Sequence, residues 1–257
     1  MLTSSNQHNA SNTDLSFIHS APLKDVIRDY PVIEIIKSHP DFNVNDAIKF
    51  ACMSGHLEIV EFMFDLVCTE CADDSLLEVT AEYGHLEVVV YLIKHEYVDR
   101  STYESAMKVA CEKGHTDIVR YLYENESVEL DNKVLLDASA NGHLELVKYL
   151  ITILKKTKSF TVRMVLEDDA LLLACANGHL EVVKYLLYSG ADSECKDNEA
   201  VCIAAENNRM EVVEFLVKED ADIWAQDGSA VLRAAKNGHL EMVKYLISKR
   251  CQCSCQR

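Results

Sequence analysis

A six-residue pattern, Gly-His-Leu-Glu-φ-Val with φ apolar, recurs down this chain and constrains its fold more than any other feature. Its anchors are Gly55-His56, Gly84-His85, Gly114-His115, Gly142-His143, Gly178-His179, a degenerate Asn208-Arg209, and Gly238-His239. Successive anchors lie 29, 30, 28, 36, 30 and 30 residues apart. Self-similarity at that period builds an open stack of small supersecondary units, each burying its apolar face only against its neighbours. A stack offers an extended surface instead of one deep pocket, so function is expected along that surface.

Each unit divides into two helical patterns. Before the glycine runs a segment such as DDALLLACAN or GSAVLRAAKN, opened by Asp, Asn or Ser. Short polar side chains of this kind accept the unpaired amide hydrogens of a first helical turn. Asp46, Ser75, Asn132, Asp168, Asn198 and Ser229 are therefore expected as N-caps worth about 1 kcal/mol each. The glycine suits the left-handed residue just past a helix end, and Asn208 is the substitute that tolerates it. Six of the eight glycines sit at this point, which is backbone geometry and not phosphate binding.

After the glycine comes a second helix, for example HLEVVKYLLY. Position five from the glycine is Val in all seven units, from Val60 to Val243, with aliphatic residues at positions two and eight in most units. A spacing of three is one face of an α-helix. Position seven is always aromatic: Phe62, Tyr91, Tyr121, Tyr149, Tyr185, Phe215 and Tyr245. Beside the Val and Leu positions this ladder is expected to pack between units, not to stack on a ligand. The acidic residue at position three favours the positive end of the helix dipole, and Glu145-Lys148, Glu181-Lys184, Glu241-Lys244 and Asp117-Arg120 have i,i+3 spacing.

These residues resemble one family. GHLEVVKYLL followed by Ser189-Gly190-Ala191-Asp192 looks like an ankyrin repeat, as does Asp220-Ala221-Asp222-Ile223 in the next unit. Small pairs such as Ala51-Cys52, Ala174-Cys175 and Ala234-Ala235 before the glycine match as well. The resemblance covers residues 44–250 and implies an all-α fold: an ankyrin-type α-solenoid of helix-turn-helix units whose concave face binds proteins. Two features depart from the family. Its Thr-Pro-Leu-His tetrapeptide is absent, and the units are about three residues shorter than the usual length near 33. The projecting finger between units is therefore expected to be trimmed or irregular. Short units with an aromatic at position seven are similar to the ankyrin arrays of amoeba-infecting giant DNA viruses.

On this reading residues 1–20 are a Ser/Asn-rich disordered tail and 21–43 a degenerate capping repeat. The seven repeats span 44–73, 74–102, 103–131, 132–166 (with an insertion), 167–196, 197–226 and 227–250, and 251–257 form a Cys-rich tail. The net charge of −17 disfavours nucleic acid, whose phosphates need clustered Lys and Arg. Lys155, Lys156, Lys158 and Arg163 in the insertion are a local exception, read as a solvated stretch with a longer helix behind it. No apolar run approaches a membrane span and the first dozen residues lack a signal-peptide core, so no membrane partner and an intracellular, cytoplasmic location are expected. For a viral chain that location is the host cell.

Ten cysteines invite a metal or disulfide reading. Cys52, Cys111 and Cys175 occupy a position filled elsewhere by Ala or Ser, and Cys195 and Cys202 align with Ala225 and Leu232; all five read as small buried hydrophobes. Cys68-x-x-Cys71 has zinc spacing without a second pair. Cys251, Cys253 and Cys255 leave metal binding, redox coupling and lipidation open. The repeat histidines stand on units spaced about 8–10 Å apart, too far to share one ion, and read as structural turn residues. With no nucleophile–base pair, carboxylate pair or phosphate loop in the pattern, no enzyme activity, cofactor or metal is expected.

The expected function is a non-catalytic scaffold binding an unidentified partner protein, the chain itself being monomeric. An adaptor recruiting a target to a ubiquitin ligase is the alternative. Partner contacts are expected where the repeat varies, just before the glycine, at Met53, Ser54, Glu82, Tyr83, Glu112 and Lys113. Trp224 joins them as the only Trp in the chain, standing where the family resemblance implies a polar Asn.

Overall fold

The computed structural model describes residues 43–66, 75–95, 100–126, 130–131, 133–157 and 160–254. Fourteen helices account for 82% of these residues, which include no strand. They run as seven pairs: α1 (Val44–Ser54) with α2 (Leu57–Leu66), α3 (Ser75–Tyr83) with α4 (Leu86–Lys94), α5 (Arg100–Lys113) with α6 (Thr116–Asn125), and α7 (Lys133–Ala140) with α8 (Leu144–Thr157). The last three are α9 (Phe160–Asn177) with α10 (Leu180–Ser189), α11 (Cys195–Glu206) with α12 (Met210–Lys218), and α13 (Ala225–Lys236) with α14 (Leu240–Ser254). First helices pack on first helices of adjacent units, second on second, so the core is one continuous seam. The capping unit expected over 21–43 lies outside the described residues apart from Asn43, as do the 1–20 tail, Cys68, Cys71, Asn132, Lys158 and Cys255.

Period decides burial. The first of each small pair is fully or nearly buried at Ala51, Thr80, Ala110, Ala138, Ala174, Ala204 and Ala234. Position five is fully buried from Val60 through Val213. The aromatic ladder is half-buried throughout and lies along the second helices. Cations from one unit lie over rings of the next: Arg120 is 5.1 Å from the Tyr149 ring centre and Lys184 is 5.9 Å from that of Phe215. Arg120 so placed bridges two units, where the sequence spacing pairs it with Asp117. The Glu145–Lys148, Glu181–Lys184 and Glu241–Lys244 pairs form at 2.7, 2.6 and 2.8 Å on exposed faces.

Every first helix ends as the glycine pattern predicts. The anchor glycines have φ between 71° and 85°, and Asn208 takes 58° in their place. The next amide hydrogen turns back on the helix: His56 N–H donates to the Ala51 carbonyl at 3.0 Å and His179 N–H to that of Ala174 at 3.0 Å. This closes the last turn and satisfies carbonyls that would otherwise be orphaned.

Helix starts differ from the sequence expectation. Asn43, one residue before α1, is its cap, its side chain accepting from Asn45 N–H at 3.0 Å, while Asp46 lies inside the first turn. Asp168 lies within α9 and accepts from Asp192 N–H at 2.9 Å. Asn198, itself left-handed at φ 64°, accepts from Asp222 N–H at 3.0 Å. Both side chains therefore brace the loop entering the following unit and do not cap their own helices. The first turns of α11 and α13 each contain three consecutive left-handed residues that kink the entry to the helix, Lys196-Asp197-Asn198 and Gln226-Asp227-Gly228. The six extra residues of unit four extend helices, giving an α8 of 14 residues and an α9 of 18.

Candidate interaction surface

The repeat histidine has a structural partner far away in sequence. His85 Nε2 meets the Met53 carbonyl at 2.9 Å, His115 that of Glu82 at 2.8 Å, His143 that of Glu112 at 2.8 Å, and His179 that of Ala140 at 2.8 Å. His239 reaches the Glu206 carbonyl at 2.9 Å. In each case the ring reaches the last turn of the preceding unit's first helix, where a carbonyl lacks a helical partner. Arg209 does the same with Nε donating to the Ala176 carbonyl at 3.0 Å, so the unit that looked degenerate keeps the joint with another donor.

The glycine and the histidine of successive units are one device. A Cβ on Gly55 would lie 2.4 Å from the His85 ring, and one on Gly142 would lie 2.5 Å from that of His179. The glycine is thus required by its left-handed backbone and by the ring seated on it. Histidines committed in this way are poor candidates for general bases or metal ligands. Among the described residues no cluster of three His, Cys, Asp or Glu could hold a metal ion.

The buried thiols are equally committed. Burial pushes the Cys52 thiol up to about 11 and, with Asp137 and Glu112 adding to it, that of Cys111 up to about 12. Cys175, Cys195 and Cys202 are buried and raised too, chiefly by desolvation. Nucleophilic thiols need the opposite shift. A recess of about 400 Å³ opens along units two to four, where Thr116 replaces the usual Leu. It is lined by Asp117, Arg120 and Glu145 and by His115, whose Nε2 is engaged by Glu82.

What remains available is the face of the first helices turned away from the second helices. Residues five before each glycine form a line along it: Phe50, Val79, Val109, Asp137, Leu173, Ile203 and Arg233. Phe50 and Leu173 are exposed, and Val79, Val109 and Ile203 half-buried. Arg233 shows that the line is continuous across units, since it reaches back to Glu199 at 2.6 Å and Glu206 at 3.3 Å in the preceding unit.

A family model for ankyrin repeats, in three copies, matches residues 48–134, 77–162 and 135–227. The chain belongs to the ankyrin-repeat family. No curated protein matches the array over its sequence.

The ankyrin array places the expected contact residues in register. Met53 and Ser54, Glu82 and Tyr83, and Glu112 and Lys113 end three adjacent first helices. The carbonyls of Met53, Glu82 and Glu112 hold the joint, while their side chains point away from it. Lys113 pairs with Glu82 across units at 3.1 Å. Trp224 lies apart, at the loop before α13, half-buried, with its ring 3.2 Å from where a Cβ on Gly228 would stand. The sequence reading missed the line through Phe50, Val79 and Val109. Its signal was an apolar residue five before the glycine, recurring in five of seven units on the side opposite the small pair.

Proposed function

We propose that this ankyrin array is a non-catalytic scaffold that binds a partner protein along its first-helix face, with units one to three making the main contact. The carrying observation is the apolar line Phe50–Val79–Val109, flanked by Met53 and Tyr83 and by the carboxylates of Glu82 and Glu112. An apolar centre with a charged rim is how protein interfaces are composed. The partner segment that fits carries apolar side chains with Lys or Arg beside them. Asp137 interrupts the line at unit four, which ends the footprint there.

We propose that these short units are of the kind found in giant-virus ankyrin arrays, which makes a host-cell protein that partner. The test uses the full chain as bait in three forms: unaltered, Phe50→Asp with Glu112→Lys, and Tyr188→Asp as a distant surface control. A protein held by the first and third forms but reduced at least about thirtyfold with the second, a hot-spot-sized loss, is the expected result. Equal recovery by all three would overturn the placement.

A further inference from the structure

The joint that ties unit to unit is incomplete at both ends of the described array, and the two ends are complementary. At the C-terminal end nothing lies within 4 Å of the Cβ position of Gly238, where other anchor glycines carry the next unit's His or Arg. The Lys236 carbonyl, equivalent to those that receive the staple, accepts none among the described residues. Apolar residues are bare here: Leu232 is 63% exposed where Leu172 and Cys202 at its position in the two preceding units are buried, and Leu240 (61%) and Ile247 (46%) are exposed where their counterparts are half-buried or buried. Ala235 is exposed too, although its counterparts Cys52, Ala81, Cys111, Cys175 and Ala205 are buried.

At the other end, His56 is exposed and its ring makes no hydrogen bond among the described residues, whereas the other repeat histidines each have a carbonyl. Ile59 is 44% exposed, though Val88, Ile118, Leu146, Val182, Val212 and Met242 at the same position are buried by the preceding unit. Charge separates the ends as well. The last helix pair, residues 225–254, carries Arg233, Lys236, Lys244, Lys249 and Arg250 against Asp227 and Glu241. The first helix pair, residues 44–66, carries Asp46, Glu58, Glu61 and Asp65 against Lys49.

We propose that the C-terminal end of one copy docks on the N-terminal end of another, with His56 of the second copy seated over Gly238 of the first. The contact repeats between molecules the joint already made six times within the chain. Like-charged basic rims oppose a tail-to-tail pair, whereas a basic end meeting an acidic one is favoured. A head-to-tail contact uses two different surfaces and leaves a free copy of each, so it propagates into an open series instead of stopping at a dimer. This departs from the monomer expected from the sequence, and from a capping role of residues 21–43 on unit one.

Sedimentation equilibrium of the full chain across a wide concentration range tests it. The account expects an average mass rising above the 29.0 kDa monomer without a plateau at two copies, and falling back as salt is added. Two variants, Leu232→Asp with Leu240→Asp at one end and His56→Ala with Ile59→Asp at the other, each remove one docking surface from exposed positions. Each should stay monomeric alone, and their mixture should give a species with one copy of each. A 29.0 kDa mass at every concentration overturns the proposal, with the ends covered by other segments of chain. Self-association of the His56 variant alone overturns it in favour of a tail-to-tail pair.

Discussion

At the residue scale, side chains that look reactive are held by their surroundings. Cys52 and Cys111 are raised from 9.0 to about 11 and about 12, and Tyr149 from 10.0 to about 12 by burial first and then by Glu124, whose Oε1 accepts its hydroxyl at 3.2 Å. A raised folded value means stability that is complete below pH 9.0 and lost as pH climbs toward the folded values. Unfolding midpoints in urea with reductant should therefore fall between about pH 9 and about pH 11, with a slope near 1.4 kcal/mol per pH unit for each buried thiol. Cys111→Ala, which places there the residue found at Ala81 and Ala205, should flatten the slope. The same burial predicts that Cys52, Cys111, Cys175, Cys195 and Cys202 resist alkylation in the native protein and react in denaturant. Tyr149→Ala should cost about 2 kcal/mol as a large-to-small change at a half-buried site. Tyr149→Phe should cost only a few tenths, because its hydrogen bond is exposed. A larger loss from Tyr149→Phe would place the ladder's importance in its hydroxyls.

At the scale of elements, the sequence revealed whatever is encoded locally and hid whatever crosses between units. Gly55, Gly142, Asn208 and the valines at position five could be read from the period, because a helix stop and a helix face are both properties of neighbouring residues. Asp168 and Asn198 were misread as caps because their acceptor role serves amides 24 residues downstream, at Asp192 and Asp222. Local composition cannot distinguish a side chain that braces its own helix from one that braces the next. Arg209 shows the same blindness in reverse, since a break in the motif conceals an intact joint. Gly238 separates the two demands on the anchor glycine, having the left-handed φ of 78° but no ring above it. In the monomer, Gly238→Ala should thus cost only the backbone strain, about 1–2 kcal/mol. A greater penalty would mean that another group packs on this turn.

At the scale of the whole molecule, stability is spread along a line of joints, and the faces not used in joints remain open. The recurrence of His at the same position in six units made it legible as structural, but the identity of its partner, 31 to 39 residues back, needed the stack itself. The line through Phe50, Val79 and Val109 was not extracted from the sequence because which side of a first helix stays outside is set by how the units stack. No helix among the described residues is long and apolar enough to cross a membrane.

The central claim is that the glycine of one unit and the histidine of the next form a single structural device, which leaves the turn no other role. A double-mutant cycle at Gly142 and His179, read by urea unfolding, tests it most directly. Gly142→Ala should cost at least about 2 kcal/mol, because it combines left-handed strain with a clash against the His179 ring. His179→Ala should cost about 1 kcal/mol for its carbonyl bond. In the double variant the clash is gone, so the account predicts a loss at least about 1 kcal/mol smaller than the sum of the two. Strict additivity would contradict it, showing that ring and glycine act independently.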